Sequence, residues 1–240
     1  MGTVRLGLTV ALLFGLGIRP AAAIECPLPS GASPSLASLD QQARLQFIVR
    51  TLVQTAQSER RYALGWSLTY AALSGGAWLL YPLASPSDPG QLRESAWNSG
   101  TSAFAALFVL YAPLVAASEA GKVNKLLSAQ ELSPCAQLAE SERVLKDVAN
   151  RQAGARRPLA HIGNVALNVG LGLILGYALQ RPKGAAMATS VGVLLGEVMI
   201  ATRPTDALRG LASYQQGSLE VPSPSLGTAF ALIPTLTNQT

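Results

Sequence analysis

Residues 159–202 read LAHIGNVALNVGLGLILGYALQRPKGAAMATSVGVLLGEVMIAT and establish the structural class of this protein. Two apolar stretches, 159–180 and 184–202, flank a three-residue turn at 181–183. Each stretch is close to the roughly 20 residues that an α-helix needs to cross about 30 Å of hydrocarbon. Nothing alternates with period two, and an isolated strand would leave its backbone unpaired in lipid. The segment therefore predicts a transmembrane helical hairpin.

The same pattern occurs once upstream, with apolar stretches at 63–84 and 99–118. The connection between them, 85–98, is rich in Pro, Ser and charged residues. Aromatic residues of the kind found at membrane–water interfaces lie near the ends of these stretches: Trp66, Trp78, Tyr81 and Trp97. The predicted fold is an all-α integral membrane protein with four transmembrane helices arranged as two hairpins.

Each hairpin is preceded by a polar segment with the spacing of an amphipathic helix. The apolar residues that share one face are Leu45, Ile48 and Leu52 in the first segment, and Leu138, Leu145 and Val148 in the second. The predicted organisation is a signal peptide at 1–23, an extramembrane helical segment at 24–62, the first hairpin at 63–118, a second extramembrane helical segment at 119–158, the second hairpin at 159–202 and a Ser- and Pro-rich tail at 203–240.

The N-terminus has the three parts of a secretory signal. Arg5 gives a positive start, residues 6–17 are apolar, and the alanines at 21–23 supply small residues at a cleavage site. This pattern predicts cleavage before Ile24. An uncleaved membrane anchor is the alternative interpretation, because a basic residue and a proline at 19–20 separate the apolar core from the site.

A cleaved signal would place residue 24 on the trans side of an inner or plasma membrane. The long segments 24–62 and 119–158 would then face the periplasm or the cell exterior. Cys26 and Cys135 would share that oxidising compartment, which predicts a disulfide that closes a loop of about 110 residues. Two unpaired thiols are the alternative.

The distribution of basic residues conflicts with this topology. Thirteen lysines and arginines fall in the predicted trans-side segments, against only Arg93, Arg181 and Lys183 in the two short turns. This is the reverse of the positive-inside rule. Either the signal overrides the charge bias, or the long segments are cytoplasmic. A third alternative is that the hairpins are not simple spans of the inner membrane.

The composition fits a lipid-embedded chain better than a nucleic-acid-binding one. Only 13% of residues are charged, about half the fraction usual in soluble domains. The net charge is +5, but the basic residues are dispersed and no basic stripe interleaved with aromatic residues is present. The predicted partner is the lipid bilayer, with no nucleic acid.

Glu197 is the only acidic residue in the four predicted spans. A charged carboxylate at such a depth is costly, so it should be neutral, paired or beside water. Antiparallel pairing across the 181–183 turn brings it level with His161, Asn164 and Asn168, which share one face of the third span. The functional hypothesis is a proton or cation path, or a carboxyl of raised pKa that acts as an acid or base. The structural hypothesis is a hydrogen-bonded lock between the two helices.

Two G-x-x-x-G patterns lie in the second hairpin, Gly172 with Gly176 and Gly192 with Gly196. Glycines at this spacing let two helix backbones approach closely in lipid. The short turn favours packing within the hairpin, and a homo-oligomer interface is the alternative.

No phosphate-binding loop, H-E-x-x-H or C-x-x-C pattern is present. We therefore expect no catalytic residues, no cofactor and no metal site, and predict a non-enzymatic membrane scaffold or accessory subunit with a protein partner on the trans side. The alternative function is a small channel or proton-coupled transporter unit that uses Glu197.

Overall fold

The computed structural model describes residues 26–84, 88–111, 121, 132–221 and 223. The predicted signal peptide, 1–23, lies outside the described residues, as do parts of the predicted second span and of the tail. Every regular element within the described ranges is a helix, which confirms the all-α prediction.

Within the described ranges a short 3-10 helix, Pro34–Ser38, comes first and α-helices follow it. Their bounds are Gln41–Ala84 (α1), Pro89–Tyr111 (α2), Pro134–Gly154 (α3), Pro158–Leu173 (α4), Pro182–Ala201 (α5) and Asp206–Gln215 (α6), with a π-helical turn at Ile174–Ala178 after α4. Four of these helices begin with proline, whose fixed φ and missing N–H suit the first helical position. At α3 the Ser133 side chain also accepts a hydrogen bond from the Ala136 N–H at 3.3 Å.

Helix α1 is continuous over 44 residues, or about 66 Å at 1.5 Å per residue. The predicted boundary between the first extramembrane segment and the first span lies after residue 62. No break occurs there, since α1 is helical through Tyr62 and Ala63. One helix therefore joins two parts of the molecule, which we call the head (residues 26–62, 132–157 and 203–221) and the hairpins (63–111 and 158–202).

The head contains the main buried core. The N-terminal half of α1 packs there against α3 and α6, and the segments on either side of these helices cover the same core. The buried apolar residues are Leu36, Leu45, Phe47, Ile48, Leu52, Leu138, Val144, Leu145, Val148, Ala149, Ala207 and Tyr214. All six residues that the sequence assigned to the two amphipathic faces are among them.

Cys26 and Cys135 form a disulfide bond, as predicted, with their Cα atoms 5.2 Å apart. The bond ties the segment before α1 to the first turn of α3. It spans 109 residues of sequence, including the whole first hairpin. The head is thus cross-linked across the widest gap in its chain.

A buried polar triad joins the three helices of the head. Arg44 donates from Nη2 to the Glu142 carboxylate at 2.6 Å and from Nε to the Tyr214 hydroxyl at 2.9 Å, and that hydroxyl donates to the same carboxylate. Burial and then the bond to Glu142 raise the pKa of Tyr214. Burial opposes the charge on Arg44, but its bonds to Tyr214 and Glu142 outweigh that effect and raise its pKa. The raised pKa of Tyr214 keeps its phenol protonated beside the Arg44–Glu142 ion pair.

Helix α6 lies inside the segment that the sequence assigned to a Ser- and Pro-rich tail. It packs against α1 and α3, and Tyr214 is fully buried. Close approach to α1 requires Gly210, because a Cβ at that position would overlap the Thr51 side chain. The structure therefore makes residues 206–215 part of the head core.

The two halves of the first hairpin are held by small polar residues. The Ser74 hydroxyl donates to the Ser99 carbonyl, and the Ser99 hydroxyl donates to the Ser74 carbonyl, both at 3.0 Å. The Ser67 hydroxyl donates to the Ala106 carbonyl at 3.0 Å. Reciprocal hydrogen bonds of this kind, between closely packed small residues, are typical of helix pairs in membranes.

The turns of both hairpins meet at the end away from the head. Arg181 pairs with Asp88 at 3.0 Å and with Glu94 at 2.9 Å. The Gly90 N–H, and after it Arg181, hold the pKa of Asp88 below its ordinary value. The two hairpins therefore run side by side with their turns at the same level.

Apolar side chains in the hairpins face outward. Among the described residues, all but four of the exposed large apolar side chains lie within the four predicted spans, the exceptions being Leu28, Val53, Leu92 and Leu132. Two helical segments, Pro158–Ala178 and Pro182–Gln215, are long and apolar enough to cross a membrane. Only 11% of the most apolar part of each is buried, so most of this apolar surface is not covered by the described part of the protein. Spans in the first hairpin stay a prediction.

Candidate functional site

The structure brings together all four residues of the predicted polar cluster. The Asn164 amide donates to Oε1 of Glu197 at 2.8 Å, and the His161 Nδ1 lies 2.5 Å from Oε2 of the same carboxylate. The Asn168 amide donates to the carbonyl and side-chain oxygens of Asn164, both at 2.9 Å. The cluster therefore forms one hydrogen-bonded chain between α4 and α5.

The cluster depends on the glycines that face it across the hairpin. A Cβ on Gly196 would overlap the Asn164 amide, and one on Gly192 would overlap the Asn168 amide. Glycine leaves room for these amides to lie against the backbone of α5, and the Asn164 amide also donates to the Val193 carbonyl at 3.0 Å. The polar cluster on α4 and the second G-x-x-x-G pattern on α5 therefore pack directly against each other.

The first G-x-x-x-G pattern also packs within the hairpin. A Cβ on Gly172 would overlap the Thr189 hydroxyl, and one on Gly176 would crowd the Ala185 side chain. The hydroxyl of Thr189 reaches the Asn168 carbonyl at 3.4 Å. All four glycines therefore serve the α4–α5 contact, the interpretation that the short turn favoured over an oligomer interface.

The cluster lies near the head end of the hairpin and stops well short of the turn. An imidazole and a carboxylate in contact can exchange a proton, and both side chains are more than a third exposed. Beyond Asn168, however, Tyr177 is the only titratable residue of the hairpin before the 181–183 turn. No group of three His, Cys, Asp or Glu in the described ranges could hold a metal ion. The geometry suits a local lock better than a path across the hairpin.

A second candidate site, not predicted from the sequence, lies on the head. A groove of about 370 Å³ runs between the start of α1 and the start of α3. Its walls carry three amide side chains, one arginine and two aliphatic residues: Gln42, Gln46, Gln137, Arg50, Leu45 and Val49. In the sequence, this groove is indicated only by the helical spacing of Gln42, Gln46 and Val49. The same spacing is equally typical of an ordinary solvent-exposed helix face.

Comparison of the chain with protein-family models, with curated protein sequences and with solved structures finds no match. Conclusions about function therefore rest on the head, the hairpins and the two candidate sites themselves.

Proposed function

We propose that this protein is a four-span membrane anchor that holds a disulfide-linked helical head at the membrane surface, where the head acts as a non-enzymatic scaffold or accessory subunit. The observation that carries the proposal is the inverted polarity of the hairpins. Exposed apolar side chains cluster on the hairpins, whereas the head buries its apolar residues around a closed core. Exposed apolar side chains on the hairpins suit a lipid environment, and the closed core of the head suits water.

Contacts between the hairpins support the inclusion of the first one among the spans. Trp66 and Val109 pack against Leu195 and Met199 near the head, and Arg181 bridges both turns at the far end. Two hairpins in contact at both ends share one environment. Serine, glycine and tryptophan lower the hydropathy of the first hairpin, and α2 is described only to Tyr111.

The disulfide supports a periplasmic or extracellular position for the head. Disulfides persist in oxidising compartments and are rare in the cytosol. A head on that side matches the predicted signal peptide and runs against the positive-inside rule. In this proposal the two short turns, with Arg181, face the cytoplasm.

The groove between α1 and α3 is the proposed partner-binding surface. Its amides offer both hydrogen-bond donors and acceptors, Arg50 adds a positive charge, and Leu45 and Val49 form an apolar floor. This combination fits a peptide-like segment of a partner protein, with its own backbone polar groups and an acidic side chain. The rigid core beneath the groove would limit the ordering cost of binding.

Site-specific photo-crosslinking in native membranes tests this surface. We expect a photoreactive residue at Gln46 to give one discrete heteromeric product, and Val49→Asp to lower its yield at least about tenfold because a charge replaces the apolar floor. A photoreactive residue at Arg143, exposed on the outer face of α3, is the matched control. Equal products at both positions, or none at Gln46, would contradict the proposed partner surface.

Glu197→Gln separates the scaffold from the channel or transporter alternative. Glutamine keeps the size of the side chain and can still accept from Asn164, so we expect the hairpin to fold and the Gln46 crosslink to remain. A scaffold should show the same proton and cation flux in liposomes before and after the change, at the level of empty liposomes. Flux in the native protein that disappears in Glu197→Gln would establish the ion-path alternative instead.

A further inference from the structure

Five arginines surround the junction between the head and the hairpins, and we call them the arginine collar: Arg60, Arg61, Arg156, Arg157 and Arg203. Each lies within three residues of the head end of a predicted span, on α1, before α4 or after α5. From this placement we propose that the collar binds the phosphate groups of anionic phospholipids in the leaflet next to the head. The inference rests on the proposed membrane location.

Hydrogen bonds join the three segments that carry the collar. Arg156 donates from Nη2 to the Ala201 carbonyl at 2.9 Å and to the Arg203 carbonyl at 2.5 Å. The Tyr62 hydroxyl, next to Arg61 in the chain, donates to the Met199 carbonyl at 2.7 Å. The end of α5 therefore contacts both α1 and the connection before α4, which places the three segments that carry the arginines at the same end of the hairpins.

Three collar residues are available to a ligand. Arg60, Arg61 and Arg157 are exposed and form no ion pair with any described residue. Nε of Arg203 is buried without an acceptor in the described part of the chain, which an anion bound at the junction would supply.

The two described acidic residues near the junction, Glu59 and Asp206, are both buried and form hydrogen bonds or ion pairs with residues outside the collar. Glu59 is buried and accepts a hydrogen bond from the Gln152 amide at 3.1 Å. The Asp206 side chain is only 1% exposed and pairs with Arg209 at 2.8 Å. In the described part of the junction, the exposed charges are therefore those of the arginines.

The neighbouring surface indicates a lipid rather than a soluble anion. Within two turns of the collar, Leu64, Leu68, Leu159 and Ile162 are all exposed, and Leu159 is 76% exposed. A phospholipid can place its phosphate among the guanidinium groups and its acyl chains along these four apolar side chains. Arginine binds phosphate oxygens in a bidentate geometry, and a free phosphate would leave the adjacent apolar surface uncovered.

The test compares full-length protein reconstituted into vesicles of phosphatidylcholine alone and of equal parts phosphatidylcholine and phosphatidylglycerol. Mass spectrometry then counts the phospholipids retained by each protein after detergent extraction. Each basic residue at an anionic surface strengthens binding about fivefold, so we expect R60Q/R61Q/R157Q to weaken phosphatidylglycerol binding by roughly 100-fold. The charge-matched variant R143Q/K146Q/R151Q, altered at exposed positions of α3 outside the collar, should bind like the native protein.

Equal loss in both triple variants, or no loss in either, would overturn the proposal. R60K/R61K/R157K keeps the charge and should retain preference for phosphatidylglycerol over phosphatidylcholine, which excludes misfolding as the cause of the loss. Displacement of the bound lipid by millimolar glycerol phosphate would identify a soluble-phosphate site instead and reject the lipid. Failure of the protein to resist alkaline extraction from either vesicle would reject the membrane proposal itself, whereas stable insertion without lipid preference would reject the collar alone.

Discussion

Glu142→Ala should destabilise the head by about 3–5 kcal/mol, because it leaves the Arg44 guanidinium buried without a counter-charge. Arg44 is only 2% exposed, and its guanidinium donates hydrogen bonds to Glu142 and Tyr214. Removal of the carboxylate therefore strands a full positive charge among α1, α3 and α6. Chemical unfolding of the purified protein in detergent, followed by near-UV circular dichroism, would measure the change in unfolding free energy.

Two variants distinguish a stranded charge from a lost contact. Tyr214→Phe removes hydroxyl bonds but leaves the ion pair, so we expect a loss of about 1 kcal/mol. The double change Arg44→Met with Glu142→Leu removes both charges and should recover most of the loss seen in Glu142→Ala. If Glu142→Ala costs less than about 1 kcal/mol, Arg44 reaches solvent and the triad is not a buried network.

The raised pKa of Tyr214 also sets the sign of a pH effect. Its protonated form is favoured in the folded head, so the corresponding stability is fully present below the ordinary tyrosine pKa of about 10. It is lost as the pH rises through the folded-state value. Tyr214→Phe should therefore show a smaller alkaline loss of stability than the native protein.

Removal of the Cys26–Cys135 bond should cost about 2–5 kcal/mol of unfolding free energy. The bond spans 109 residues, for which the chain-entropy estimate is near 4.7 kcal/mol. A first hairpin that stays in the membrane would restrict the unfolded chain and lower this figure. Unfolding curves with and without reductant measure the loss, and Cys26→Ser with Cys135→Ser should match the reduced protein and show no further response to reductant.

The same bond reports the side of the membrane on which the head lies. On intact cells, an impermeant maleimide should label the cysteines only after treatment with an impermeant reductant. Labelling that requires permeabilisation but no reductant would place both cysteines in the cytoplasm. That result would reject the periplasmic or extracellular head, and a reduction-insensitive unfolding curve would contradict the stabilising role of the bond.

Local patterns were sufficient to predict the second hairpin and its polar cluster. The 181–183 turn is so short that α4 and α5 must pair antiparallel, which fixes Glu197 opposite His161 and Asn164. The disulfide was predictable for a different reason, since the sequence has only two cysteines and both lie in predicted extramembrane segments. In each case few alternatives were compatible with the sequence.

Features that depend on tertiary contact could not be predicted in this way. Arg44 and Glu142 are 98 residues apart, and each reads as an ordinary surface charge until α1 and α3 are packed. Helix α6 has only 10 residues and a narrow inner face of Ala207, Gly210 and Tyr214. The groove arises only where α1 meets α3, so no single segment carries its pattern.

The unbroken α1 makes the head and the first predicted span one mechanical lever. With about 33 Å of helix on each side of its middle, a 10° tilt displaces either tip by roughly 6 Å. Transmembrane helices tilt when the surrounding bilayer thins or thickens. Because α1 has no break at Tyr62, a tilt of its membrane half would also move its N-terminal end, where the groove lies. A change in bilayer thickness would then shift a binding surface that lies well outside the bilayer.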